Sequence, residues 1–258
     1  MPVETPVKSM DLRRRNQQSG REAILFFLAA WAAIGSTGVS AVRSAENAAT
    51  HEEIRLKLED GTEHEVSFFH GGKKQAVIFL HQSSATRASW YFMAERLQRL
   101  GIASLSLESS TPQAALSAVD FLKKQEFRNI ALVGASIGGG AILQALRKRE
   151  DESIDKVILL APTDAYPIES KKIRKLLIVS KQDFFGSASY RLLSECSEPK
   201  RLVEYDGSAH AQDLFNGKHR DDLIKLILQF IQQDGKRVRT LSPVPNSPEK
   251  VLVASATL

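Results

Sequence analysis

From residue 53 onward the apolar positions follow two periods in turn. Residues 53–58 (EIRLKL) alternate polar and apolar, Asp60-Gly61 supplies a turn, and residues 66–69 (VSFF) return. That pattern predicts an antiparallel hairpin with one solvated face. Residues 75–80 (QAVIFL) are instead a continuous apolar run bounded by turn residues, as a strand buried on both faces requires. Trp90, Met93, Ala94, Leu97 and Leu100 then recur at helical intervals and stop at Gly101. The alternation continues: strand over 102–107, helix over 114–122, strand over 130–133, helix over 141–146. Strands follow over 157–160, 176–179 and 201–205, and a last helix over 223–231. Strands alternating with helices predict an α/β fold: a mostly parallel, twisted sheet with helices on both faces and the first hairpin as its antiparallel edge.

Periodicity is lost at Gly235, and residues 236–258, rich in proline and serine, read as a flexible tail. At the other end, residues 23–42 carry no charge and residues 24–34 (ILFFLAAWAAI) are unbroken apolar. Arg13, Arg14, Arg15 and Arg21 precede them, and a small-residue stretch ending V-S-A at Ala41 comes after. This reads as a secretory signal, alternatively as a retained membrane anchor, and least readily as a buried helix. Both of the first two readings export the remainder of the chain, to the periplasm or the medium, or hold it at a membrane through residues 23–41. The organisation is then 1–50 signal or anchor plus linker, 51–235 a single α/β domain, and 236–258 the tail.

Charge narrows the partners. The whole chain carries +5, but residues 1–41 hold five basic against three acidic side chains, and the tail four against one, so the middle nets to zero. A neutral globule with basic ends lacks the footprint that phosphate binding demands, which argues against a nucleic-acid partner. Cys196 is the only cysteine; acidic neighbours on both sides predict a raised thiol pKa and an inert thiol. No H-E-x-x-H and no phosphate-binding G-x-x-x-x-G-K-[ST] occurs, so neither metal nor cofactor is expected.

The candidate chemistry lies where residues 130–133 run into Gly134-Ala135-Ser136-Ile137-Gly138. G-x-S-x-G between a buried strand and a helix is the pattern of a strained turn that lifts a serine hydroxyl above a sheet. Serine is a poor nucleophile without a base and an acid to orient that base. Two histidines lie further along the chain: His210 in the small-residue loop G-S-A-H after the last strand, and His219 among charged residues, which reads as solvated surface. The base is assigned to His210. For the acid, Asp183 comes after the strand 176–179, with Asp164 after the preceding strand as competitor.

An oxyanion site needs two backbone N–H groups. Ile137, next after the serine, supplies one, and the loop His81-Gln82-Ser83-Ser84 the other, with Ser83 favoured over Gln82. Trp90, Tyr91, Phe184, Phe185 and Phe215 read first as core and second as lining of the site.

These motifs (F-L-H-Q, V-G-A-S-I-G-G-G, S-K-Q-D and G-S-A-H-A-Q-D-L-F, in that order over residues 75 to about 215) resemble the α/β-hydrolase superfamily. The resemblance implies cleavage of an ester, thioester or amide of a small-molecule or acyl substrate through an acyl-enzyme, most simply by a carboxylesterase-like serine hydrolase. One departure is His81-Gln82, where the superfamily usually has His-Gly. About fifteen residues separate the strands ending at Leu160 and starting near Leu176, too few for the helical cap of larger members, so an open site is expected. A transferase or lyase on the same triad, and a non-catalytic envelope protein using the scaffold for binding, are the alternatives.

Overall fold

The computed structural model describes residues 50–233 and 251–252. The signal or anchor reading of residues 1–49 and most of the tail lie outside the described residues. None of the described helices is long and apolar enough to cross a membrane.

The chain opens with β1 (Glu52–Lys57) and β2 (Glu63–Phe69), paired antiparallel with Ile54 opposite Val66. Asp60 closes the turn by accepting from both the amide and the hydroxyl of Thr62, and Gly61 takes a φ of +86° that a larger residue resists. Then come β3 (Gly72–Leu80), α1 (Tyr91–Arg99), β4 (Ile102–Leu107), α2 (Pro112–Lys124), β5 (Asn129–Ala135) and α3 (Ile137–Lys148). They are followed by β6 (Ile154–Leu160), β7 (Arg174–Ser180), α4 (Ser187–Glu195), β8 (Lys200–Tyr205) and α5 (Arg220–Gln232). The last strand, β9 (Val251–Leu252), lies within the tail and pairs antiparallel with β8 at Val203 and Leu202. The sheet order is β1-β2-β4-β3-β5-β6-β7-β8-β9, parallel from β4 through β8.

Burial explains why the inner strands are apolar throughout. Ala76 to Leu80 in β3 and Leu176 to Val179 in β7 are inaccessible to solvent, whereas β1, at the edge, buries only Leu56. Each buried Leu, Ile or Phe contributes about 1.5–3 kcal/mol, and only a sheet covered on both faces can bury them all. The two covers are visible in their contacts. Arg220 of α5 lies over the Phe92 ring of α1 at 4.8 Å, while Arg149, just after α3, forks onto Asp120 of α2 at 2.8 and 3.1 Å. Helix α2 starts where its sequence says it should: Thr111 accepts from Ala114 N–H and Pro112 takes the first turn.

Between β6 and β7, residues 161–173 contain no helix, so the carboxyl end of the sheet carries no cap there. Helix α4 is absent from the sequence reading for a physical reason. It buries only Ser189 and Leu192, too little apolar surface to leave a helical period.

Candidate active site

Ser136 stands between the end of β5 and the first turn of α3 with φ +50° and ψ −115°, outside the comfortable range for an L-residue. Its backbone is pinned from three sides. The Ser136 N–H donates to Leu160 O at 2.9 Å, and its carbonyl accepts from Gly140 N–H (3.0 Å) and Thr163 N–H (3.2 Å). The flanking glycines are steric requirements. A Cβ on Gly134 would stand 2.6 Å from Gly138 O, and one on Gly138 would stand 2.5 Å from Leu80 O. Ile137 is the first helical residue, so its N–H has no acceptor within the helix and points toward the same end as the serine hydroxyl.

His210, after β8, reaches the serine with Nε2 2.9 Å from Ser136 Oγ. Its Nδ1 lies 2.8 and 3.1 Å from the two carboxylate oxygens of Asp183, just past β7. A carboxylate only accepts, so Nδ1 carries the proton and Nε2 is left to accept from the serine. The Asp183 side chain is 1% exposed, and its Oδ1 also accepts from Phe185 N–H at 3.0 Å. The loops of Asp183 and His210 are laced together. Gln182 N–H donates to Gly207 O (3.0 Å), Gly207 N–H to the Gln182 side chain (2.9 Å), and Ser180 Oγ to Ala209 O (2.6 Å).

The competing assignments fall elsewhere. Asp164 accepts from the Gln144 side chain at 2.7 Å and lies beside Gly140, while His210 Nδ1 meets Asp183 instead. His219 is half-buried and less solvated than its charged neighbours suggest: its ring packs on Tyr205 at 4.9 Å and hydrogen-bonds Asp206 O at 3.0 Å.

Gln82 accounts for the departure after β3. Its N–H donates to the side-chain oxygen of Gln212 and its own side-chain oxygen accepts from Gln212 N–H, both at 2.9 Å. Its Nε2 extends to Ser84 Oγ (3.1 Å) and Asp213 Oδ1 (3.2 Å). The Gln82 amide is thereby engaged inside the protein, and the next amide along the loop is that of Ser83. Gln212 is the residue of the site that sequence reasoning passed over. It stood inside the motif G-S-A-H-A-Q-D, but only a fold that brings residues 82 and 212 together gives it a partner.

The aromatic residues divide. Trp90 and Phe215 are core, with ring centroids 5.7 Å apart, and Tyr91 is tied to Ser67 by a 2.6 Å hydroxyl bond. Phe184 and Phe185 are exposed, and the Phe185 ring stands edge-on to His210 at 5.3 Å. Two further non-glycine residues near the site take positive φ: Ala161 (+41°), at the end of β6, and Ala211 (+47°), directly after His210. Cys196 is buried, and burial itself, more than its acidic neighbours, lifts its thiol pKa above the ordinary value. Among the described residues no cluster of three or more His, Cys, Asp or Glu stands ready to hold a metal ion.

No protein-family model matches the chain, and no curated protein is similar to it in sequence. Solved structures are similar in fold. An esterase from Exiguobacterium antarcticum superposes with a TM-score of 0.59 at 12% identity, over 70% of this chain and 100% of that one. A dienelactone hydrolase from Anabaena variabilis gives 0.59 at 20% identity, over 70% and 95%. A carboxylesterase from Bacillus subtilis gives 0.57 at 9% identity, over 71% and 92%. Sheet order, hairpin edge and these neighbours agree: the chain has the α/β-hydrolase fold.

Proposed function

We propose that the chain is a serine hydrolase that cleaves carboxylic esters, or related thioesters and amides, through Ser136, His210 and Asp183. The observation that carries the reading is the unbroken row from buried carboxylate to imidazole to hydroxyl, 2.8 and 2.9 Å, ending on a serine at a helix N-terminus. A scaffold kept only for binding has no use for that row.

The chemistry derives from the positions. Nε2 of His210 takes the Ser136 hydroxyl proton as Oγ bonds the substrate's carbonyl carbon. The carbonyl oxygen becomes an alkoxide, received by the N–H groups of Ile137 and Ser83. As the tetrahedral carbon collapses, its bond to the leaving oxygen breaks, and the imidazolium hands that oxygen the proton. Water then attacks the acyl-Ser136 carbonyl, gives a proton to His210, and the acid departs as Oγ recovers it. Asp183 stays ionised throughout, holding the tautomer and stabilising the imidazolium. No cofactor or metal is invoked. Export, with residues 1–41 removed or retained as an anchor, belongs to the same proposal and rests on the uncharged stretch 23–42 behind its arginines.

The test is covalent labelling of the full chain with a fluorophosphonate. Labelling of wild type and none of Ser136→Ala is expected. A folded wild-type protein that takes no label overturns the reading in favour of a binding scaffold.

A further inference from the structure

We infer that the leaving group of the substrate is a bulky apolar alcohol, seated on Phe185 and Phe184 at the open mouth of the site. The inference rests on the hydrolytic reading of Ser136, His210 and Asp183.

The direction of the reaction fixes where the leaving group lies. His210 must pass its proton to the leaving oxygen, so that oxygen sits within hydrogen-bond reach of Nε2, and whatever it carries continues past the imidazole. Phe185 is the side chain that stands beside this ring, its centroid 5.3 Å away at 64° to the imidazole plane. Phe184 meets Phe185 edge-on at 5.1 Å and extends the apolar surface.

The two rings are otherwise unexplained. Phe184 is 90% and Phe185 62% exposed, in a molecule that buries Phe69 and Phe79 completely. Two adjacent phenyl groups in water forfeit the burial that phenylalanine normally supplies. They are held there by a fixed turn: Asp183 N–H donates to Ser180 O, Gly186 N–H to Asp183 O, and Phe185 N–H to the Asp183 carboxylate. A Cβ on Gly186 would lie 2.7 Å from Val179 Cγ2, so the turn closes tightly on β7. The turn that aims the acid thus also presents the rings. Polar groups nearby in sequence are engaged with each other, Lys181 with Asp206 at 2.6 Å and the Tyr190 hydroxyl with Glu204 at 2.7 Å. Among the described residues, 161–173 form no helical cap over this end of the sheet.

The experiment holds the acyl group constant and varies the alcohol. Ethyl, hexyl and 3-phenylpropyl acetate have leaving alcohols of similar acidity, so differences report contact with the protein. On the full chain, kcat/KM is expected to rise about tenfold or more from ethyl to hexyl and 3-phenylpropyl acetate. In the Phe184→Ala/Phe185→Ala double variant that ratio collapses toward one, while the ratio between ethyl hexanoate and ethyl acetate is kept. A purely structural role would lower every ester together and leave both ratios unchanged, which overturns the proposal. Loss of the acyl-chain ratio instead overturns it too, by putting the rings on the acyl side. Wild type that takes the fluorophosphonate label but shows no alcohol preference defeats this inference and leaves the hydrolytic reading standing. Wild type that takes no label defeats both.

Discussion

Gln82 and Gln212, 130 residues apart in sequence, hold each other twice, the backbone N–H of each donating to the side-chain oxygen of the other at 2.9 Å. Both are buried. The pair joins the loop of Ser83 to the loop that carries His210, so the proposed oxyanion donor and the proposed base are placed by one device.

Gln212→Met keeps length and removes the acceptor. The Gln82 N–H is then buried without a partner, at a cost of about 1–3 kcal/mol, and the loop is free to shift. Urea unfolding should show that loss. Because donor geometry matters most in the transition state, kcat should fall by about tenfold to a hundredfold with little change in KM.

Asp183→Asn and Asp164→Asn separate the two candidate acids. The first offers the imidazole an amide in place of a carboxylate and favours the wrong tautomer, so kcat should drop by about 10³–10⁴-fold with the fold intact. The second removes a charge but leaves an amide oxygen to accept from Gln144, and kcat should stay within about threefold of wild type. A large loss in Asp164→Asn with a small one in Asp183→Asn would reverse the assignment of the acid.

His64 gives the fold an acid sensitivity. Burial holds its pKa below the ordinary 6.5, its Nδ1 is buried without a hydrogen bond, and Nε2 meets Ser117 Oγ at 3.2 Å. The unfolded chain therefore takes up a proton that the folded chain refuses. Stability is full above the unfolded value and declines as pH falls from there toward the lower folded value, by at most about 1.4 kcal/mol per pH unit. Melting temperatures of wild type and His64→Gln should converge in shape above pH ~7 and diverge below pH ~6, with wild type the steeper.

Cys196 should behave as a core side chain. Its thiol accepts from Ile168 N–H at 3.2 Å and, being buried with a raised pKa, presents little thiolate. A disulfide reagent should label it at the rate of unfolding and leave hydrolysis of a small ester untouched. Rapid labelling of the folded chain would contradict this.

The alternation of strands and helices was legible because the inner strands are buried on both faces and the helices on one, which are different periods in sequence. The meeting of Ser136, His210 and Asp183 was legible because each comes after a strand end in chain order. Helix α4 was hidden by its thin apolar face. Gln212 was hidden for a different reason: its importance lies in a partner 130 residues away, and spacing carries no trace of that meeting. The Phe184–Phe185 pair was ambiguous because sequence gives hydrophobicity but not exposure.

Ser136, Ala161 and Ala211 share the positive φ that L-residues avoid, and all three surround one site: Thr163, two residues after Ala161, donates to the Ser136 carbonyl, and Ala211 adjoins His210. Each such residue costs on the order of 1–3 kcal/mol and persists only while its neighbours enforce it. The molecule therefore distributes its stability unevenly, with a strongly bonded sheet beneath and a spring-loaded rim above. On warming, the rim should relax first, so that reactivity at Ser136 fades several degrees before the sheet itself gives way.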